Sequence, residues 1–180
     1  YFTEKFALIR QTWSLDSVEK NSLVFMKELT EKYAVFSSLQ IVRENQIFMI
    51  KAIQPKQTHY HITHALYAPM ESYCTASGKL LLQYLPAPLQ KKTLECIQFH
   101  PYTENTILSV KDLLIALRKQ EETIYATEYD ELDSGISSIA APVLLSPQNI
   151  FGTLSVTAPS QVLKKQQKEI CFDLLNAANK

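Results

Sequence analysis

Two stretches near the C-terminal end constrain the fold most: Ser134-Gly135-Ile136-Ser137-Ser138-Ile139-Ala140-Ala141-Pro142-Val143 and Gly152-Thr153-Leu154-Ser155-Val156-Thr157-Ala158-Pro159. Both are apolar with a period of two, and the polar connection Ser146-Pro147-Gln148-Asn149 between them predicts a β-hairpin. Ser138, Ser155 and Thr157 stand where larger β-formers would pack better. Small hydroxyls on an otherwise apolar strand face suit the floor of a ligand pocket. Gly135 and Gly152 are two of only three glycines in 180 residues, and Gly78 is the third. A chain so poor in glycine is expected to place each where the backbone needs it.

Around this hairpin the pattern predicts helices and further strands. A short amphipathic helix is expected over Thr3–Trp13, with Phe6, Leu8, Ile9 and Trp13 apolar. A second is expected from a cap at Ser14 or Asp16 to Tyr33, with Val18, Leu23, Met26 and Leu29 inward. Val35–Val42 and Ile47–Ile53 read as a hairpin across Arg43-Glu44-Asn45-Gln46, and His59–Leu66 as one more strand. Helices follow over Thr75–Leu85, Pro88–Ile97 and Val110–Glu122, with Pro88 suited to a first turn. Thr123–Glu128 reads as a strand and Ser160–Ala178 as a closing helix. Helices at both ends of a hairpin-connected sheet define an α+β domain with one mostly antiparallel sheet.

An apolar content of 46% allows one substantial core and a single domain. Eighteen basic side chains balance eighteen acidic ones, so the basic excess that phosphate neutralisation calls for is missing. No apolar run of about 18 residues could span a bilayer, and Tyr1-Phe2-Thr3-Glu4-Lys5-Phe6 does not resemble a signal peptide. Cys74, Cys96 and Cys171 are odd in number and contain no CxxC pair, which fits reduced thiols in a cytoplasmic protein.

Several segments invite chemistry. Thr75-Ala76-Ser77-Gly78-Lys79 opens a helix, whose free N–H groups favour an anion. Tyr73 and Leu80 break the phosphate-loop pattern, so the fitting anion is the carboxylate of a small ligand, with Thr75 or Ser77 as the cap. The run Glu128, Asp130, Glu131, Asp133 reads as a solvated loop rather than a catalytic pair. Glu128 differs, because it ends a strand beside Gly135 and could reach into a pocket. His59 and His61 share a strand face near His64, but a metal site needs further ligands, and an exposed edge is the simpler reading. Cys74 beside a helix start could be an activated nucleophile, yet no partnering His is identifiable; a pocket-wall cysteine is favoured. No metal and no cofactor are expected.

Together these motifs resemble one family. Thr75-Ala76-Ser77-Gly78-Lys79 is similar to the helix start of IclR-type bacterial transcriptional regulators. Glu131 with Gly135, then Ile139-Ala140-Ala141-Pro142-Val143, resembles the family's E-x3-G and I-A-A-P-V, and Leu154-Ser155-Val156-Thr157-Ala158-Pro159 resembles its final strand. The resemblance covers essentially the whole chain but only the C-terminal, GAF-like half of such regulators. It implies an effector-binding and oligomerisation domain over residues 1–180. The chain has no initiator Met and no winged helix-turn-helix, so it is expected to be part of a longer regulator.

The resemblance also implies roles for individual residues. Ala76 and Ser77 would offer backbone N–H groups to a small organic acid effector, and Ser155 and Thr157 would hydrogen-bond it. Ser138 stands where the family often has Cys, Ile136 would be an apolar wall, and Met70 would line the pocket from the preceding loop. Glu128 takes a place that is typically Asp. Glu71, Ser72, Thr123-Ile124 and Ala158 depart from the pattern. The implied protein is a sensor rather than an enzyme, a homodimer or tetramer that meets DNA only through another domain and meets no membrane. A generic GAF-like sensor of a cyclic nucleotide and a Cys74-dependent enzyme are the alternatives.

Overall fold

The computed structural model describes residues 2–44, 46–56, 58–120, 123–146 and 149–178, with side chains from Val18 onward, residues 145 and 146 excepted. Helix α1 (Phe2–Tyr33) runs unbroken for 32 residues. The division expected near Ser14 is absent, because no Gly or Pro interrupts the segment and a mid-helix Ser or Asp costs only about 0.5 kcal/mol relative to Ala. The side chains assigned to its first half, Phe6, Leu8, Ile9 and Trp13, lie outside the described ones. Met26 and Leu29 turn inward, whereas Leu23 is half-buried.

Strands β1 (Phe36–Arg43) and β2 (Gln46–Ile53) form the first hairpin, and Asn45 of its turn lies outside the described residues. The strand expected over His59–Leu66 does not form. Of that stretch Ile62 is buried against Phe36 and Met49 and Tyr60 is half-buried beside it, which is too little apolar surface to hold a strand on the sheet. The segment instead folds over β2, with Tyr67 N donating to Met49 O (2.8 Å) and Gln54 Nε2 donating to Ile62 O. The short β3 (Pro69–Met70) that follows pairs with the free edge of β2 at Ile47 and Phe48.

Helices α2 (Ala76–Tyr84), α3 (Ala87–Cys96) and α4 (Val110–Gln120) come next, with Pro88 in the first turn of α3. Glu122 lies outside the described residues. Strand β4 (Ala126–Tyr129) starts later than Thr123, since the Thr123 hydroxyl bonds Gln120 O (2.9 Å) and Tyr125 O (2.7 Å) and turns the chain locally. Strands β5 (Ile136–Ser146) and β6 (Asn149–Pro159) form the second hairpin, with Pro147 and Gln148 of its connection outside the described residues. Helix α5 (Ser160–Ala178) ends the chain's described part.

The sheet order is β3-β2-β1-β6-β5-β4, antiparallel throughout. Its centre thus joins β1 to β6, the strands of two hairpins far apart in sequence. Leu154, Val156 and Ala158 of β6 pack with Met26 of α1 and Leu174 of α5 in the main core. On the opposite face, Ala76 and Leu80 of α2 meet Ala126 of β4 and Ala140 of β5, and α3 and α4 pack outside α2 through Leu82, Leu94 and Leu113. Thr127 O on β4 accepts from Gln120 Nε2 (2.9 Å) and from Lys79 Nζ (3.4 Å).

Two glycines permit close backbone approaches. A Cβ on Gly152 would sit 2.0 Å from Gln40 O, and one on Gly78 would sit 2.4 Å from Ser72 Cα. Gly152→Ala must push β6 from β1 and is expected to cost about 2–3 kcal/mol, read as a lowered urea midpoint at unchanged m. An unchanged midpoint would show that the strands separate without penalty.

Candidate functional site

The sheet register builds the floor of a cavity. Glu128, Ser138, Thr157 and Phe36 lie side by side on β4, β5, β6 and β1, and two residues along the strands Ala126, Ala140, Ser155 and Ser38 form a second row. Period-two alternation puts both rows on the face opposite α1 and α5. The two alanines let α2 approach closely. Beside them, where hydroxyls replace alanines, a cavity of about 320 Å³ opens between the floor, the first turn of α2 and the chain that follows β2.

The eight residues singled out from the sequence all line this one cavity. Ser138, Ser155, Thr157 and Glu128 belong to the floor, Ala76 and Ser77 to α2, and Met70 and Ile136 to the apolar walls. Sequence reasoning missed Ser38 and Gln40, read Asp133 as part of a solvated loop, and set His61 on an exposed strand face with His64 near it, whereas all five line the cavity. Adjacent Ser37 and Ser38 blur the alternation of β1, so Ser38 and Gln40 join the floor through the pairing of β1 with β6.

Thr75 is the cap of α2, with extended φ/ψ (−124°, 146°) and its Oγ1 accepting from Gly78 N (3.0 Å). The N–H groups of Ala76 and Ser77 precede the first intrahelical bond and have no partner among the described residues. Two cavity hydroxyls are also unpaired among the described residues: Ser77, 3% exposed, and Thr157, 9% exposed. In the floor, Ser38 and Ser155 Oγ are 2.9 Å apart, and Gln40 Nε2 lies within 2.9 Å of both.

Glu128 is the buried acid of the site. Its carboxylate accepts from Ser138 Oγ (3.1 Å) and from the Glu131 backbone N–H (3.1 Å). Burial pushes its pKa up to about 7, and the Glu131 charge adds to the rise; those two hydrogen bonds and Lys79 oppose it. The Lys79 ammonium, itself buried, pairs with Glu131 rather than with Glu128. Burial likewise raises Glu131 against the pull of Lys79, and Glu131 Oε2 is a buried acceptor without a partner among the described residues.

The loop between β4 and β5 is tied from several sides. Asp130, at φ 58°, accepts from Gly135 N (2.8 Å) and from Ser160 Oγ at the start of α5, and Thr106 Oγ1 donates to Glu131 O (2.7 Å). Burial lowers the His64 pKa, with Asp133 partly offsetting it. Among the described residues no three His, Cys, Asp or Glu side chains gather as a metal site. Cys74 is fully buried, and burial, reinforced by Glu71, pushes its thiol up to about 12. A thiol so placed is not ionised near neutral pH and is not an activated nucleophile.

An antiparallel sheet with helices on both faces and a hydroxyl-floored cavity under a helix start defines an α+β domain with room for a small ligand. The family described as bacterial transcriptional regulator IclR C-terminal matches residues 12–180, and the chain belongs to it. Escherichia coli (strain K12) KdgR, an HTH-type transcriptional regulator, is 23% identical over 171 residues, covering 95% of this chain and 56% of that protein. Dickeya chrysanthemi KdgR is 25% identical over 172 residues, covering 96% and 48%. The chain thus spans about half the length of the curated relatives it matches. The crystal structure of the C-terminal domain of E. coli KdgR superimposes with a TM-score of 0.78 at 25% identity, covering 89% of this chain and 93% of that one. The inducer-binding domain of PobR from Acinetobacter, a double mutant in complex with 3-hydroxybenzoic acid, gives a TM-score of 0.72 at 22% identity, covering 87% and 92%. No described helix is long and apolar enough to cross a membrane.

Proposed function

We propose that the cavity binds a small organic acid, and that this effector controls DNA binding by another domain of the same cytoplasmic regulator. The observation that carries the reading is the pair of hydroxyls, Ser77 and Thr157, that have no partner among the described residues and belong to the lining of the same cavity as two free helix N–H groups. Groups left open in a cavity are available to a ligand, and a bound acid would hydrogen-bond all four together. The N–H groups and the dipole of α2 favour a carboxylate there. The complex of the PobR inducer-binding domain, which shares the fold, with 3-hydroxybenzoic acid is consistent with this assignment. Among the described residues no Lys or Arg lines the cavity, which disfavours the phosphate of a cyclic nucleotide.

The regulator would act as a homodimer or tetramer, and its effector must bind one arrangement of the assembly better than another to switch it. Calorimetry and thermal shift with pyruvate, glyoxylate, keto-sugar acids and aromatic acids are expected to find a binder. Ser155→Leu, which fills the floor, is expected to abolish that binding while the fold survives. A panel with no binder, or unchanged affinity in Ser155→Leu, would refute the assignment.

A further inference from the structure

Gln40 is buried on β1 and lines the cavity floor. Its side-chain oxygen accepts from Thr153 Oγ1 (2.9 Å), and its nitrogen donates to Ser38 Oγ (2.8 Å) and Ser155 Oγ (2.9 Å). The Thr153 hydroxyl fixes this orientation. Thr153 is wholly buried and has no other side-chain partner among the described residues, so turning the amide round would leave its hydrogen unsatisfied.

An amide nitrogen has no lone pair to accept with. The hydroxyl hydrogens of Ser38 and Ser155 therefore cannot point at Gln40. One of them lies in the 2.9 Å contact between the two serines. The other has no acceptor among the described residues and is left to the cavity. We propose that Gln40 is a positioning residue that sets the polarity of the cavity floor. Acting through Ser38 and Ser155, it presents one O–H donor and selects a ligand carboxylate or carbonyl oxygen over an ammonium. This rests on the effector reading above and adds the residue that decides which ligand atoms the floor accepts.

Replacing the amide with a carboxylate tests the idea, because Gln40→Glu accepts from both serines and turns both hydroxyl hydrogens away from the cavity. Pyruvate and 3-hydroxybenzoate serve as acid probes, with aminoacetone and 3-hydroxybenzylamine as their amine counterparts, read by calorimetry and thermal shift. The unsubstituted chain is expected to bind at least one acid about tenfold or more tightly than its amine partner. Gln40→Glu is expected to reverse that order, and because its added charge acts in the same direction, the neutral variant Thr153→Val separates the two effects. Thr153→Val touches no ligand; it releases the amide and is expected to erode the acid preference even if Gln40→Glu fails to fold. The same acid preference in the unsubstituted chain and in Thr153→Val would overturn the role of Gln40 and leave the effector reading standing. Failure of all four probes to bind the unsubstituted chain would count against the effector reading and overturn both.

Discussion

Lys79→Met is expected to destabilise the domain by about 3–5 kcal/mol near pH 8, because it strands the Glu131 carboxylate in the interior. Lys79 and Glu131 side chains are 2% and 12% exposed, and Glu131 Oε2 already lacks a partner among the described residues. Lys79 is what holds the Glu131 pKa down against burial, so its loss lets that pKa rise further. The penalty should accordingly shrink at pH 5, where a Glu131 left without Lys79 can protonate. Lys79→Met with Glu131→Leu removes both charges and is expected to recover most of the loss, as apolar pairs of similar volume often do. Urea unfolding of the three proteins at both pH values measures this. A single variant within about 1 kcal/mol of the parent at pH 8 would mean that the pair is solvated in solution.

Glu128 sets the second large effect. Its pKa is about 7 in the folded chain against 4.5 for the free side chain, so between those values the folded state binds more protons than the unfolded one. Stability must then fall as pH rises through that window and stay lower above it, by roughly 3 kcal/mol in all. Glu128→Gln does not titrate, and it is expected to be no more stable than the parent at pH 4.5 and clearly more stable at pH 8. An acid effector placed beside Glu128 would favour its protonated form, so binding by the parent should weaken above pH 7 while Glu128→Gln stays level. A pH-independent difference between the two proteins would show that Glu128 is ordinary in solution.

Much of this arrangement was legible in the sequence. Both hairpins and the four later helices declare themselves through periodicity, through the cap at Thr75 and through the first-turn Pro88. The unbroken α1 was not legible, because Ser14 and Asp16 look like caps but cost little inside a long helix. His59–Leu66 alternates like a strand, yet whether alternation becomes a strand depends on what the other face packs against. The site divides the same way. Ser138, Ser155 and Thr157 stand out locally, but Ser38 and Gln40 gain meaning only from the pairing of β1 with β6 across 115 residues or more. The Lys79–Glu131 pair spans 52 residues, and nothing local to either motif indicates that the two meet.

The carbonyl of Thr127, held by Gln120 and Lys79, has a bearing on assembly. Open sheet margins recruit strands from other chains, and proteins blunt them with short strands, prolines and covering side chains. Here one margin is the four-residue β4 with that acceptor already engaged, and the other is the two-residue β3, which begins at Pro69. A neighbouring copy that added a strand at β4 would have to dislodge the lysine that also neutralises Glu131. Growth of a continuous intermolecular sheet past β4 is thus penalised at the same residue that braces the wall of the cavity.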